Sequence, residues 1–456
     1  MQKESIMNVG RDWLDTYEKR SKYTICIVGG RKYGLLIAYL FAEAGYKVIG
    51  TDRNFKVLGS ILKKKGIFYD SELENKLKKL VKKKKVMLTD NIFHAVSQSD
   101  IIVSIGTVPI DGKLKLDYSR LELKFREIGK SLQRGSIIIV ADEVVPGTTE
   151  GLIKETLENT SGFKAGSDFG LAFSTIGISS SIVKNGVVYK PIVAGIDERS
   201  LEVASSILQT LSKGKVISVN SIRTAEAVRL FYNVYRDVNI ALSNELALFC
   251  EKIGADYSEV IQAVKNAFGT RLLYPQLVGD HASREVHLLL NEADILGINL
   301  KMAKTARKVN EAMVKRVLEL IRTALKKCGK PLRGAKIAIL GISIKEDAKK
   351  NNSKIAEALK KLEAKGARIK VYDPYFSKRE LKELGYPGES SIENAVKGAD
   401  CLLLTVKHKQ FRKLNFRKIK TLTKSPLAIV DLVNVINLQE IKDEIVYIGL
   451  GKPMKM

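Results

Sequence analysis

Two stretches of this 456-residue chain carry residue types at spacings that could do chemistry. The first is Gly29-Gly30-Arg31-Lys32-Tyr33-Gly34, which follows the apolar run 23–28 and precedes the helical pattern LLIAYLFAEAGY; a second apolar run, KVIGTD, reaches Asp52. Strand, glycine turn, helix, strand and acid in this order form a dinucleotide-binding unit. The first glycine makes the bend, the second lets backbone approach a pyrophosphate, the third packs helix on strand, and the acid accepts from a ribose hydroxyl. Here the second glycine of the pattern is Arg31. Its side chain either intrudes on the space of the pyrophosphate or, with Lys32, reaches round and neutralises it. Asp52 favours NAD over NADP. Binding of NAD, of another nucleotide, or of none stays open at this point.

The second stretch is 221–254, SIRTAEAVRLFYNVYRDVNIALSNELALFCEKIG. It opens on a serine able to cap, ends on a glycine suited to a stop, and keeps apolar residues at helical spacing between them. One helix of this length spans roughly 50 Å, long for a small domain and suited to a strut between domains. Arg229 and Asn233 lie four apart, and Asp237 and Asn244 continue roughly the same side. Spacing alone reads that stripe as a solvated face.

Composition narrows the classes. With 45% hydrophobic and 28% charged residues the chain is globular, and its length suffices for two or three cores. It shows no apolar run of transmembrane length, and its first twenty residues are too charged for a signal peptide, so a cytoplasmic protein is expected. The cysteines, Cys26, Cys250, Cys328 and Cys401, lie in apolar runs without CxxC pairing, and the four histidines are scattered. Reduced, structural cysteines and no metal are therefore expected. A net charge of +27, with lysines clustered at 63–65 and 76–85, would attract a polyanion. Those runs lack the interleaved aromatics of a single-strand binder, and Lys/Glu-rich composition also marks heat-adapted surfaces.

Around these residues the chain shows two α/β patterns flanking a helical centre. The first holds strand candidates at 23–28, 47–52, 101–105 and 136–140 with helices between, which predicts a parallel, doubly wound sheet. Helices run from the strut to about Lys327. A second set of strand candidates then follows in AKIAILGISIKED, ARIKVYDPYF, ADCLLLTV, LAIVDLVNV and IVYIGLGK. The expected division is 1–218, 219–328 and 329–456: two Rossmann-like domains joined by a helical domain with one long helix.

The strut resembles the central helix of the nucleotide-sugar 6-dehydrogenase family, which includes UDP-glucose and UDP-N-acetylmannosamine dehydrogenases. Its run is similar to A-E-x-x-K-x-x-x-N-x-x-R-D-V-N-I-A-x-x-N-E, matched here by Ala225, Glu226, Asn233, Arg236, Asp237, Val238, Asn239, Ile240, Ala241, Asn244 and Glu245. Pro146, Gly147, Thr148 and Thr149 match the end of S-T-V-P-P-G-T-T. The resemblance covers nearly the whole chain. It implies NAD-dependent oxidation of a sugar CH2OH to a carboxylate in two hydride transfers through a thioester, with NAD held at Gly29, Gly30, Arg31, Gly34 and Asp52. It also implies a homodimer through the central helix.

That chemistry needs a thiolate, a lysine to hold developing charge on oxygen, and a carboxylate and threonine near the attacking water. The cysteine of G-V-G-G-H-C falls on Ala282, the lysine on Arg229, the glutamate of P-E-R on Ile176 (of Thr175, Ile176, Gly177), and the threonine on Glu143. Arginine keeps the charge but does not readily release a proton. On the sugar-nucleotide side, Tyr274 and Pro275 match a loop similar to F/Y-x-P-G-P-G, where Gln276 and Leu277 depart. Ile344, Lys345, Glu346, Asp347 and Ser353 fit F-K-P-D-T-D-D-x-R-x-S, with Asn351 or Asn352 in place of its arginine; D-G-R-N becomes Asp431-Leu432-Val433-Asn434. Arg229, Asn233, Tyr274 and Lys345 are the expected substrate-binding residues. The sequence thus predicts a catalytically deficient paralogue that binds a nucleotide or nucleotide sugar, or partners an active homologue. The competing readings are an active NAD-dependent dehydrogenase with rearranged residues, and a polyanion-binding module.

Overall fold

The computed structural model describes residues 4–8, 10–52, 71–111, 115–176, 190–212, 216–436 and 444–453. The lysine cluster 63–65 and Gly177 lie outside them. The chain divides into two compact units, 1–232 and 233–456.

In the first unit, eight strands form one sheet: β1 (Thr24–Gly29), β2 (Lys47–Thr51), β3 (Val86–Thr89), β4 (Ile101–Ile105), β5 (Ile137–Val140), β6 (Gly170–Ser174), β7 (Ile192–Gly195) and β8 (Ile217–Ser218). Their order is β3-β2-β1-β4-β5-β6-β7-β8. Pairing is parallel throughout except between β6 and β7. The runs TICIV, IIVS and IIIV are continuous apolar blocks because a parallel strand is covered on both faces; all four residues of β5 are buried. Helices Arg31–Glu43 and Glu198–Gln209 close this core with Leu35, Ile37, Phe41, Val203 and Ile207.

The second unit carries a five-stranded parallel sheet, β9 (Lys336–Leu340), β10 (Arg368–Tyr372), β11 (Cys401–Leu404), β12 (Leu427–Asp431) and β13 (Ile445–Gly449), in the order β10-β9-β11-β12-β13. Its core runs from these strands into helices Lys301–Lys327 and Ser353–Ala364 through Val317, Ile321, Ile337, Leu359 and Leu403.

The strut is a single helix, Ile222–Ile253. Ser221 caps it, its hydroxyl accepting from the Thr224 amide at 3.1 Å, and Gly254 ends it with φ +79. The polar stripe is not a solvated face. Asp237 and Asn244 are buried, and helix Lys301–Lys327 supplies their partners. All four cysteines are buried and free, and burial pushes the Cys26 and Cys401 thiols well up. Thiols held protonated this way are poor nucleophiles. Among the described residues no group of three His, Cys, Asp or Glu could hold a metal, and no helix is long and apolar enough to cross a membrane.

Candidate functional site

In an open parallel sheet, ligands sit at the carboxyl ends of the strands where the order reverses direction. In the first unit that point lies between β1 and β4. Gly29 and Gly30 close β1 with φ +84 and +80, a region most L residues avoid. A Cβ on Gly29 would lie 2.5 Å from the Ile105 carbonyl oxygen, and one on Gly34 would lie 2.1 Å from that of Gly29. The helix is thus pressed onto the end of its strand, as the glycine pattern requires. Arg31 follows with φ +44, a third left-handed residue in succession where the pattern has glycine. Its side chain and that of Lys32 are exposed at the helix N-terminus. The three glycines fit a dinucleotide. Arg31 and Lys32 would flank its pyrophosphate, and half-buried Asp52, directly after β2, would face its ribose.

Beyond β5 the chain runs on beside β4. The Glu143 amide donates to the Gly106 carbonyl at 2.9 Å, and Thr107 bridges Glu143. The Glu143 carboxylate, nearly buried, accepts from Arg229 of the central helix at 2.6 Å. One turn earlier on that helix, the Glu226 carboxylate accepts from the amides of Gly147 (2.5 Å) and Thr149 (3.0 Å). The segment 143–149 is therefore stapled at both ends by residues three apart on one helical face. Burial pushes Glu226 above the usual carboxylate range, against the pull of those donors. Beside the staple, buried Asp142 accepts from Ser104 Oγ at 2.6 Å and pairs with Lys124. Thr175 Oγ1 accepts from the Ile192 amide at 3.1 Å, and Ile176 packs on the apolar core, where it offers no carboxylate.

In the second unit, Asp237 pairs with Arg307 at 2.7 Å and accepts from Asn310 at 2.9 Å; Asn310 in turn accepts from Asn244 at 2.9 Å. Asn244 makes its bond to Asn310 through Nδ2, and its Oδ1 accepts from the Gln276 amide at 2.9 Å, so the central helix fixes the loop that follows Tyr274. Asn233 donates to buried Glu285. Ala282 stands in the first turn of helix Asp280–Ile295, just after Gly279, where a Cβ would meet Ile344 Cδ1 at 2.5 Å. This contact brings the loop of the expected nucleophile against the loop of Lys345.

The sheet of this unit reverses between β9 and β11. Lys345, exposed, follows β9; Lys407 follows β11. The Lys407 ammonium lies over the Tyr274 ring, 5.1 Å from its centroid. The loop of Lys345 is latched from behind. His408 Nδ1 accepts from the Asp347 amide at 2.9 Å, which leaves the ring proton on Nε2, facing buried Asp373 at 3.3 Å. Tyr375 donates to Asp347 at 3.0 Å. Asn351 accepts from Tyr386 at 2.6 Å and Asn352 caps helix Ser353–Ala364, so the pair at the expected arginine position is committed to structure. Asp431 is buried and accepts from the amides of Val433, Val435 and Ile436.

Three domain models match this chain: the NAD binding domain of the UDP-glucose/GDP-mannose dehydrogenase family over residues 23–212, its central domain over 223–312, and its UDP binding domain over 338–438. The chain belongs to this family. It is similar to the UDP-N-acetyl-D-mannosamine dehydrogenase of Pyrococcus horikoshii, 28% identical over 94% of this chain and 99% of the relative. A solved structure of that enzyme superposes with a TM-score of 0.83 over the same shares. An NDP-N-acetyl-D-galactosaminuronic acid dehydrogenase from Methanosarcina mazei Go1 is 29% identical, covering 97% of this chain and 98% of its own, with a TM-score of 0.77. The UDP-N-acetyl-D-glucosamine 6-dehydrogenase of Pseudomonas aeruginosa is 27% identical over 90% of this chain and 96% of its own.

Against this family's pattern, the fold gathers Gly29, Gly30, Arg31 and Gly34 at one switch point, with Glu143 joined to Arg229 in the same unit. It gathers Tyr274 near Lys407, and the Ala282 loop near that of Lys345, in the other. Sequence reasoning missed Lys407, His408, Asp373 and Glu285. The available signal was position: Asp373 follows directly on β10, and Lys407 lies in the loop that leaves the apolar strand β11. The lysine run 76–85 begins on helix Ser71–Lys82, where Lys76 pairs with Glu72 and Lys78 with Glu74 one turn apart. The Lys76–Glu72 pair is solvated, while Glu74 is buried beneath Lys78, so these lysines serve pairing on their own helix.

Proposed function

We propose that this nucleotide-sugar dehydrogenase family member binds a nucleotide sugar and a dinucleotide but does not complete the four-electron oxidation to a uronate. The carrying observation is the ion pair of Arg229 with Glu143. Both stand at positions where the family's chemistry asks for a lysine and a threonine, and each occupies the other. Ala282 has no thiol to form the thioester, and Ile176 has no carboxylate to direct water. The glycine turn supports retained NAD binding, with Arg31 and Lys32 as neutralising cations. The domain division 1–218, 219–328 and 329–456 belongs to this reading.

The test is product analysis with UDP-glucose, UDP-N-acetylglucosamine and UDP-N-acetylmannosamine in the presence of NAD, alongside calorimetry of each ligand. Binding without a uronate product is expected; stoichiometric uronate formation overturns the proposal. A second reading rests on Glu143 itself. A nearly buried carboxylate at the end of β5 can accept a hydroxyl proton, and with no thiol the oxidation would stop at the aldehyde, two electrons short. Trapping of an aldehyde with a hydrazine separates the two readings.

We also propose a homodimer through the central helix. Tyr235, Leu242, Phe249 and Ile253 are exposed on it at intervals of seven, seven and four, an apolar seam of coiled-coil spacing. Sedimentation of the wild type and of Leu242→Glu tests it: the dimer should become monomeric in the variant.

A further inference from the structure

We propose that Lys407 is the residue that holds the diphosphate of the nucleotide sugar in this chain, taking over from the arginines that the family's pattern places elsewhere. The inference rests on the nucleotide-sugar binding proposed above and assigns the charge within it. At the two arginine positions the chain carries Asn351 or Asn352 and Val433. The asparagines are committed to Tyr386 and to a helix cap, and a valine carries no charge. A diphosphate at this switch point must draw on the lysines beside it, exposed Lys345 beyond β9 and half-buried Lys407 beyond β11, and the burial and ring contact of Lys407 single it out.

Lys407 satisfies that need on several counts. It stands in the loop that leaves β11, the strand next to β9 across the reversal of strand order, where an open sheet receives its ligand. The neighbouring cations are already engaged: Arg412 pairs with Glu346, and Lys452 lies 3.7 Å from Asp256. Lys407, half-buried, has no carboxylate within ion-pair distance among the described residues. Its ammonium rests instead on the face of Tyr274, the residue that opens the nucleotide loop. A ring face orients a cation without neutralising it, and so leaves its N–H donors for an anion. Burial holds the ammonium below the ordinary lysine pKa, opposed by the Asp431 carboxylate, with Arg412, Glu346 and Lys452 as the other charges in range. An incoming diphosphate would restore the stabilisation that burial withdraws.

The experiment is isothermal calorimetry of full-length wild type, Lys407→Met and Lys407→Arg with UDP and with uridine, which lacks the phosphates. Lys407→Met should weaken UDP by about 10- to 100-fold, the loss of one charged hydrogen bond. It should leave uridine unchanged, and Lys407→Arg should restore most of the UDP affinity. Equal UDP affinity in wild type and Lys407→Met overturns the assignment while leaving nucleotide-sugar binding intact. A parallel loss of UDP and uridine also overturns it, as a loss of fold or of base recognition. Failure of the wild type to bind either ligand overturns both this inference and the binding reading beneath it.

Discussion

Arg229 on the central helix and Glu143 beyond β5 meet at 2.6 Å, so two departures from the family's residue pattern form a single matched pair. Their side chains are 24% and 8% exposed, between a surface bridge and a fully desolvated one. Breaking it by Glu143→Ala should cost about 2 kcal/mol, intermediate between exposed and buried pairs. Reverting both positions, Glu143→Thr with Arg229→Lys, should cost less than the sum of the single changes. A double-mutant cycle read by urea denaturation checks this, and additivity within about 0.3 kcal/mol would deny the coupling.

A buried counterpart sits about two turns further along the same helix. Asp237 and Arg307 are each about 3% exposed or less, joined at 2.7 Å. Removal of one partner strands a charge in the core, so Asp237→Ala should destabilise by about 3–5 kcal/mol. Asn310, which bonds both Asp237 and Asn244, carries the effect onward to the Gln276 loop. Asp237→Ala should therefore also weaken nucleotide binding at temperatures where the variant is still folded, measured by calorimetry well below its melting point.

The glycine turn yields opposite expectations at adjacent positions. Gly34→Ala would drive a Cβ to 2.1 Å from the Gly29 carbonyl oxygen, against rigid backbone, and should cost at least about 1–3 kcal/mol. Arg31→Gly relieves a left-handed arginine, φ +44, and should stabilise by about 1 kcal/mol. If Arg31 neutralises a pyrophosphate, the same change should weaken NAD by about tenfold, or 1.4 kcal/mol. Melting temperature and NAD calorimetry on the two variants read the effects separately.

The strands of both sheets were legible because parallel strands buried on two faces leave unbroken apolar runs, as in IIIV of β5 and CLLL of β11. The strands β3, β6, β7 and β8 were not. β8 is two exposed residues, and β7, paired antiparallel to β6, is a four-residue strand with only its two middle residues buried. At the site, the absence of a thiol at Ala282 and of a carboxylate at Ile176 could be read from residue type alone. The pairing of Arg229 with Glu143 could not, since it joins positions 86 apart and local pattern does not report tertiary contact. Lys407 was hidden for a different reason: in a chain of 77 lysines and arginines, what distinguishes it is its place beyond β11 and the lack of an acid partner among the described residues.

The latch behind Lys345 makes stability depend on acid in a direction that can be worked out. Burial pushes the Asp373 carboxyl up, but donation from His408 and from the amides of Ile342 and Tyr375 outweighs it and holds the group below its ordinary value of 3.8. A carboxylate depressed in the folded state stabilises fully above its unfolded pKa, and that contribution is lost as pH falls from about 3.8 through the lower folded value. Wild type should therefore lose urea resistance below pH 4 more steeply than Asp373→Asn, whose curve lacks this term. At pH 7 wild type should be the more resistant of the two, because asparagine presents one acceptor oxygen where the carboxylate takes bonds from Ile342, Ser343 and His408 at a single atom, Oδ2, and from Tyr375 at Oδ1. Urea midpoints for both proteins from pH 7 down to pH 3 should converge on acidification; parallel curves would show that Asp373 does not titrate with unfolding.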